Sequence, residues 1–174
     1  LDINEFFYWT MGFPPEGTTI LNRRLLEVET PYDAVAGNYD ELVAADPDRA
    51  AFLRGEGLEL STTIRAASAG FSVLDVGCGT GWLLDLDRHG WAQPRTYTGI
   101  DPSRPMVDRL LSAHPSANAI VTPLRSFVGE RYDYIVALFG SASYLTDREI
   151  GRIPHLLNPG GRYMLMFFAP GFDR

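Results

Sequence analysis

Residues 73–82 read VLDVGCGTGW, and this stretch decides the fold. A short apolar run, interrupted only by Asp75, stops at three alternate glycines, Gly77, Gly79 and Gly81. Glycine lets the backbone turn tightly and come close to a ligand, and a helical pattern follows the last of the three. The stretch therefore predicts a strand, a ligand-binding loop and a helix in succession.

The alternation of strands and helices continues on the C-terminal side of this stretch. We predict strands at 71–76, 96–100, 119–122, 132–139 and 162–168, and helices after the glycine loop, at 105–113 and at 146–157. Residues 132–139 are almost continuously apolar, as expected for a parallel strand that is buried on both faces. The pattern favours an α/β fold, with a Rossmann-like, open, mostly parallel sheet and helices on both faces.

The N-terminal part of the chain has a different pattern. Residues 1–31 are rich in aromatic side chains, residues 32–43 have helical spacing, and further helices are predicted up to about residue 68. We therefore divide the chain into an N-terminal helical appendage at 1–60 and a core at 61–174; the appendage is expected to act as a lid only by the family resemblance given below. Exposed aromatic residues need cover, so a homodimer through the N-terminus is one expectation. The chain stops soon after Phe168, so either the sheet is minimal or the last strands are missing.

Composition excludes several classes of function. The formal charge is -7 and the acidic residues are scattered, which disfavours a nucleic-acid partner. All 15 basic residues are arginine, so chemistry that needs a catalytic or phosphate-binding lysine is absent.

The cysteine content and the apolar runs indicate the setting of the protein. Cys78 is the single cysteine, so it has no internal disulfide partner, and no cluster has the spacing of a metal site. No apolar run has the length of a membrane span, and the first residues do not read as a signal peptide. We expect a cytoplasmic protein without a membrane or metal partner.

An acidic residue follows the second predicted strand. Asp101 stands twenty residues after Gly81, where a carboxylate accepts hydrogen bonds from both hydroxyls of a ribose. Trp82 occupies the position at which a dinucleotide-binding loop needs its last glycine, which argues against an NAD-dependent enzyme. Asp75 brings a second negative charge toward the loop and suits a ligand with an ammonium group. S-adenosylmethionine has this ammonium group, a sulfonium and a ribose.

At these residues the chain resembles the class I S-adenosylmethionine-dependent methyltransferases. The resemblance covers residues 32–168 and rests on four motifs in order: the loop at 73–82, TGIDPS at 98–103, RYDYIV at 131–136 and LNPGG at 157–161. It implies S-adenosylmethionine as the cofactor and a small-molecule methyl acceptor. Residues 139–144 lack the Asn/Asp-Pro-Pro-Tyr element of DNA and glutamine N-methyltransferases, so those substrates are disfavoured.

The resemblance also implies roles for the methionine and ribose portions of the cofactor. Asp75 would serve the methionine amino group, directly or through water, and Asp101 would hold the ribose. Gly77, Gly79 and Gly81 would line the methionine portion. Cys78, inside the same loop, is expected at the site as a small packing residue rather than as a nucleophile.

Further residues are implied around the adenine and at the lid. Pro102 and Met106 would flank the adenine, and Leu124 would pack on its ring. Thr122 stands where many members have an acid that contacts the adenine amino group, so this contact is left open. Tyr32 and Tyr39 either belong to a lid whose tyrosine reaches the cofactor carboxylate or only pack the N-terminal helix.

Methyl transfer from a sulfonium needs orientation more than a catalytic dyad. If a base assists, Tyr144 and Tyr32 are the candidates, and His155 is a weaker one. The alternative is a catalytically silent member that acts as a binding or regulatory partner, which the threonine at 122 and the aromatic N-terminus suggest.

Overall fold

The computed structural model describes Thr30, residues 32–45, Gly55, residues 70–85, Pro94 and residues 96–168. The strands in these ranges are β1 Ser72–Val76, β2 Thr96–Asp101, β3 Asn118–Val121, β4 Tyr132–Ala137 and β5 Leu157–Leu165. The helices are α1 Tyr39–Ala45, α2 Trp82–Asp85, α3 Arg104–Ala113 and α4 Asp147–Ile150. The aromatic N-terminal segment, the dimer contact predicted there and most of the helix predicted up to residue 68 lie outside the described residues.

The five strands form one sheet in the order β3-β2-β1-β4-β5, and every neighbouring pair is parallel. Asp75 of β1 lies opposite Gly99 of β2, and Leu74 of β1 lies opposite Ile135 of β4. This arrangement confirms the predicted Rossmann-like α/β fold. The chain changes direction across the sheet at β1, which has β2 on one side and β4 on the other, so the crevice that binds ligands in such folds lies beyond the carboxyl end of β1.

Alternate strand residues fill two hydrophobic clusters. Leu74 and Ile135 belong to one cluster, while Val73 and Val136 belong to the other. Both faces of the central strands are therefore buried, which explains why β4 is apolar over nearly its whole length. Within the described residues no helix is long and apolar enough to cross a membrane.

Helix α3 begins at Arg104, one residue before the predicted start at 105. The Ser103 hydroxyl accepts a hydrogen bond from the Met106 N–H at 3.4 Å, and Pro105 lies in the first turn, where its missing N–H has no intrahelical partner to lose. The N-cap fixes the direction of the chain as it leaves β2. As a result, Asp101 and Ser103 lie next to the glycine loop.

The continuous helix predicted at 146–157 is wrong in its extent. The structure has the short helix α4, which starts with a capping box between Thr146 and Glu149, and then a separate 3-10 turn at Ile153–Leu156. Pro154 explains the break, because proline has no N–H for the helix and disfavours a helical conformation of the preceding residue.

The predicted helix of residues 32–43 also starts later than expected. A 3-10 turn at Ala36–Asn38 precedes α1, and Gly37 in this turn has a low helix propensity. Side chains of this segment hold it against the core. The Asp40 carboxylate accepts hydrogen bonds from Thr80 at 2.7 Å and from Arg109 at 2.9 Å. The segment thus lies beside the glycine loop and α3.

Candidate functional site

The glycine loop connects β1 to α2 and is tied to β2. The N–H groups of Gly77 and Cys78 donate to the Ile100 carbonyl at 2.8 and 3.2 Å. Gly77 has a φ of +75°, and a Cβ there would lie 2.7 Å from the Ser141 hydroxyl oxygen. A Cβ at Gly81 would lie 2.9 Å from a carbon of Leu110 on α3. Gly77 therefore permits a close approach of the β4 end, whereas Gly81 permits packing of the loop against α3.

Asp101 bridges the ends of β1 and β2. Its Oδ2 accepts the Gly79 N–H at 3.0 Å, and its Oδ1 accepts the Ser103 N–H at 2.8 Å. Burial raises the pKa of Asp101 to about 6, although the two backbone donors act in the opposite direction. Each carboxylate oxygen has room for about two hydrogen bonds, so one position on each remains. The pair of remaining positions suits two adjacent hydroxyl groups.

Asp75 lies beneath the loop, with 3% of its surface exposed, and does not line the cleft. The Tyr97 hydroxyl donates to its Oδ2 at 3.0 Å, and burial raises the pKa of Asp75 to about 7. A Cβ at Gly99 would lie 2.7 Å from the Tyr97 hydroxyl oxygen, so glycine makes this contact possible. Sequence analysis missed Tyr97. The available signal was the alternation of Tyr97, Gly99 and Asp101, which places all three on one face of β2.

A cleft opens beyond the carboxyl ends of β1 and β2 and brings most of the predicted residues together. These are Tyr32, Tyr39, Gly77, Cys78, Gly79, Asp101, Pro102, Met106, Thr122, Leu124 and Tyr144. Asp75 and Gly81 are the predicted cofactor-site residues that do not line it. The cleft therefore lies where the glycine loop and the Asp101 carboxylate meet, which is where these two motifs predict a ligand.

Apolar groups form much of the cleft wall. Trp82 and Phe139 contact each other edge to face, with their ring centroids 4.3 Å apart. Neither was predicted to line the site. Cys78 is buried, and this burial raises the pKa of its thiol far above its usual range. The thiol is therefore protonated at neutral pH, which agrees with a packing role.

Tyrosines from two parts of the chain meet at the cleft. The hydroxyls of Tyr32 and Tyr144 are 3.0 Å apart, and the ring centroids of Tyr32 and Tyr39 are 6.0 Å apart. Burial raises the pKa of Tyr32 well above its usual range. The Tyr32 phenol is therefore neutral at neutral pH and is better suited to hydrogen bonding than to accepting a proton. His155, the weaker candidate, is exposed and does not line the cleft.

The loop after β3 is held in place from both sides. The Thr122 N–H donates to the Asp101 carbonyl at 2.9 Å, and the Arg125 N–H donates to Glu149 Oε1 at 3.1 Å. The Arg152 guanidinium donates to the carbonyls of Leu124, Arg125 and Phe127 at 2.6, 2.7 and 2.9 Å. Glu149 also lines the cleft and was missed in the sequence. The sequence signal at Glu149 is its T-x-x-E spacing with Thr146, which is typical of a capping box and does not indicate a site residue.

We expect the free energy of unfolding to decrease as the pH rises from about 5 to about 8. The folded-state pKa values of Asp75 and Asp101, about 7 and about 6, lie above the reference value of 3.8. Between the reference pKa and the folded-state pKa, the folded state binds more protons than the unfolded state. The free energy of unfolding therefore decreases as the pH rises through this interval. Urea unfolding at the two pH values measures the change.

A pair of substitutions tests the assignment of this pH dependence. Asp75→Asn keeps an acceptor for Tyr97 but removes the group that titrates. The free energy of unfolding should therefore depend less on pH, and it should exceed that of the parent protein by more at pH 8 than at pH 5. Asp147→Asn, an exposed carboxylate on α4, makes the same change of formal charge and serves as the control. If the free energy of unfolding changed with pH equally in Asp75→Asn and in the parent protein, Asp75 would not be the cause of the pH dependence.

The sequence matches known proteins over most of its length. A family model described as "Methyltransferase domain" matches residues 34–173. The chain is also similar to the malonyl-[acyl-carrier protein] O-methyltransferase of Halalkalibacterium halodurans, with 29% identity over 109 residues that represent 57% of this chain and 40% of that protein.

Solved structures have the same fold. DesVI from Streptomyces venezuelae has a TM-score of 0.60 and 23% identity, and the match covers 81% of this chain and 60% of DesVI. The amino pentose methyltransferase CalS10 from Micromonospora echinaspora has a TM-score of 0.57 and 24% identity, over 68% of this chain and 52% of CalS10. The sugar N-methyltransferase KedS8 from a Streptoalloteichus species has a TM-score of 0.56 and 23% identity, over 70% of this chain and 51% of KedS8. The chain spans 40% to 60% of the length of these four proteins.

Proposed function

The chain belongs to the methyltransferase-domain family, whose model matches residues 34–173, and we infer that its cofactor is S-adenosylmethionine. From this premise we propose that it transfers the methyl group of this cofactor to a small-molecule acceptor. The observation that carries the proposal is the convergence of a buried carboxylate, Asp101, and the bare backbone of Gly77 and Gly79 on one cleft.

The residues of the cleft fit the parts of the cofactor. Asp101 would bind the ribose, because its two remaining acceptor positions match two hydroxyl groups. Met106 and Leu124, both buried, would contact the adenine, and Pro102 would lie at its edge. The loop at Gly77–Gly79 would lie along the methionine portion, where the lack of Cβ atoms permits a close approach.

Orientation and exclusion of water are the main contributions of the protein in this proposal. When bound, S-adenosylmethionine supplies a methyl group that is already activated on a sulfonium sulfur. Trp82 and Phe139 would exclude water from the cleft. The hydroxyl pair of Tyr32 and Tyr144 would orient the acceptor's nucleophilic atom by hydrogen bonding, with Tyr32 remaining neutral. Holding the two reactants in line is a large part of what such an enzyme needs to do.

We favour a small acceptor that carries an amine or a hydroxyl group. Tyr32 and Tyr39 from the N-terminal segment line the described part of the cleft, with their ring centroids 6.0 Å apart. Two of the similar structures are named as methyltransferases of an amino pentose and of a sugar nitrogen. Both names support an acceptor of this chemical class.

Calorimetric titration with S-adenosylhomocysteine tests the proposal first. We expect a single site per chain; folded protein that shows no binding at millimolar ligand would defeat the proposal. Turnover is tested by incubating the protein and methyl-labelled S-adenosylmethionine with cell extract. Label is expected in the low-mass fraction and should be absent when Asp101→Ala replaces the parent protein. Binding without transfer to any fraction would favour the alternative of a catalytically silent partner protein.

A further inference from the structure

Aromatic side chains line the described part of the cleft in addition to the residues assigned to the cofactor. They come from the N-terminal segment, from the end of the glycine loop and from the turn after β4. The five residues are Tyr32, Tyr39, Trp82, Phe139 and Tyr144. All five are half-buried, so part of each side chain is open to the cleft. We call this group the aromatic wall, and it is the surface that the cofactor assignment leaves for the acceptor.

The rings of the aromatic wall face in different directions. The ring plane of Tyr32 is inclined by 74° to that of Tyr39 and by 80° to that of Tyr144. The ring planes of Trp82 and Phe139 are inclined by 86°. In each edge-to-face pair, one ring contacts its partner through its edge, and this contact uses neither of its faces. The wall can therefore present ring faces to a bound molecule from more than one direction.

Ring faces of this kind attract cations. The face of an aromatic ring carries a partial negative charge, and the attraction is strongest for tryptophan and in sites from which water is excluded. Burial raises the pKa of Tyr32 well above its usual range, so its phenol stays neutral and the attraction comes from the ring itself. An ammonium group that carries methyl groups suits such a surface, because it combines a positive charge with apolar contacts.

The charged residues of the described cleft lining also favour a cationic molecule. Asp101 and Glu149 are its carboxylates, and Arg125 is its one cationic residue. Arg125 directly follows Leu124, which we assign to the adenine, and it does not belong to the aromatic wall. With two acidic side chains and one basic side chain, the described lining is better suited to an ammonium group than to an anion.

The same lining offers little help to a hydroxyl acceptor. A hydroxyl oxygen needs a base that removes its proton, and histidine, the most frequent general base, is absent from the described lining residues. Asp101 is assigned to the ribose, and Glu149 already accepts three hydrogen bonds from neighbouring residues. The hydroxyls of Tyr32 and Tyr144 are hydrogen-bonded to each other. An amine avoids this need, because it can lose its extra proton to water before it binds and attack with its lone pair.

We infer that the methyl acceptor is an amine that binds against the aromatic wall and leaves as a methylated ammonium cation. The lone pair of the amine nitrogen forms the new N–C bond, while the bond between the methyl carbon and sulfur breaks and its electron pair stays on sulfur. The positive charge therefore moves from sulfur to nitrogen, and the net charge in the cleft is unchanged. This inference rests on the proposed function and narrows its acceptor from an amine or a hydroxyl to an amine.

Two probes of the same shape test the inference by NMR titration of the protein saturated with S-adenosylhomocysteine, whose sulfur is uncharged. Choline carries a trimethylammonium group, and 3,3-dimethylbutan-1-ol has a neutral carbon in place of the nitrogen. We expect choline to bind about tenfold more tightly or better, as is typical of a cation on aromatic faces away from water. Equal affinity for the two probes, or no binding of choline, overturns the inference. A folded protein that does not bind S-adenosylhomocysteine contradicts the proposed function instead.

Substitutions at Trp82 separate the effect of the ring from that of its apolar bulk. In Trp82→Leu the ratio of the two affinities should fall toward one, whereas Trp82→Phe keeps an aromatic face and should keep a clear preference for choline. Tyr134→Leu is the matched control, because Tyr134 is a half-buried ring in an edge-to-face pair with Phe71 and does not line the cleft. The parent ratio in both Trp82→Leu and Phe139→Leu would overturn the inference.

The position of the transferred methyl group provides an independent test. The protein is incubated with cell extract and methyl-labelled S-adenosylmethionine, and fragmentation of the labelled low-mass product in a mass spectrometer locates the label. We expect the label on nitrogen. Label on oxygen would overturn the inference but leave the proposed methyltransferase activity intact.

Discussion

Asp101→Ala is expected to weaken S-adenosylhomocysteine binding by about 100-fold or more. The substitution removes the carboxylate that would bind two ribose hydroxyls, and hydrogen bonds to a charged group contribute roughly 1.5–3 kcal/mol each. It also leaves the N–H groups of Gly79 and Ser103 without their acceptor. We therefore expect a loss of about 1–3 kcal/mol in the free energy of unfolding as well. Calorimetry and urea unfolding measure the two effects on the same sample.

Asp108→Ala is the matched control for this substitution. Asp108 is an exposed carboxylate on α3 and does not line the cleft. Its removal changes the net charge equally but should leave both affinity and stability close to those of the parent protein. A folded Asp101→Ala protein with parental affinity for S-adenosylhomocysteine would refute the ribose assignment.

Gly77→Ala is expected to destabilise the fold by about 2–5 kcal/mol and to reduce cofactor affinity. At a φ of +75° an L-residue costs roughly 1–2 kcal/mol. In addition, the new Cβ would lie 2.8 Å from the Ser141 Cβ, and relief of such overpacking typically costs about 1–3 kcal/mol. Because the β1 end and the turn after β4 must separate, the cleft itself is distorted. Urea unfolding and titration with S-adenosylhomocysteine measure both consequences.

Two further variants separate strain from the clash. Gly160 has nearly the same backbone conformation, with a φ of +80°, and no atom lies within 4 Å of the new Cβ in Gly160→Ala. The free energy of unfolding of this variant should therefore decrease only by the cost of an L-residue at positive φ. Combining Gly77→Ala with Ser141→Gly removes the clashing side chain and should recover part of the lost stability. If Gly77→Ala and Gly160→Ala lost equal stability, the contact with Ser141 would be irrelevant.

Local patterns were sufficient to predict the fold and the position of the cleft. β1 and β4 are recognisable because strands buried on both faces are almost continuously apolar. Asp101 is recognisable because it stands at the end of the second predicted strand. Helix α3 has its own start signal in Ser103 and Pro105. These features depend on residues close together in the chain, so the sequence is enough to find them.

The remaining site features depend on contacts between distant residues. Asp75 was expected at the ligand, but its environment is set by Tyr97 on the neighbouring strand, which buries it under the loop. Gly81 meets Leu110 for a similar reason. Glu149 reaches the cleft only because α4 folds back over the loop after β3. Whether Asp75 serves the methionine amino group, as the family resemblance implies, stays a prediction.

The two backbone donors of Asp101, the Gly79 and Ser103 N–H groups, follow the carboxyl ends of the neighbouring strands β1 and β2. They meet only after β1 and β2 have paired, so an unfolded chain has nothing that recognises a nucleoside. Ligand binding and folding are thus thermodynamically linked through the Asp101 side chain. A ligand at a hundred times its dissociation constant would raise the free energy of unfolding by about 2.7 kcal/mol. Because proteases cleave the unfolded chain, proteolysis would become slower as the concentration of the nucleoside ligand rises.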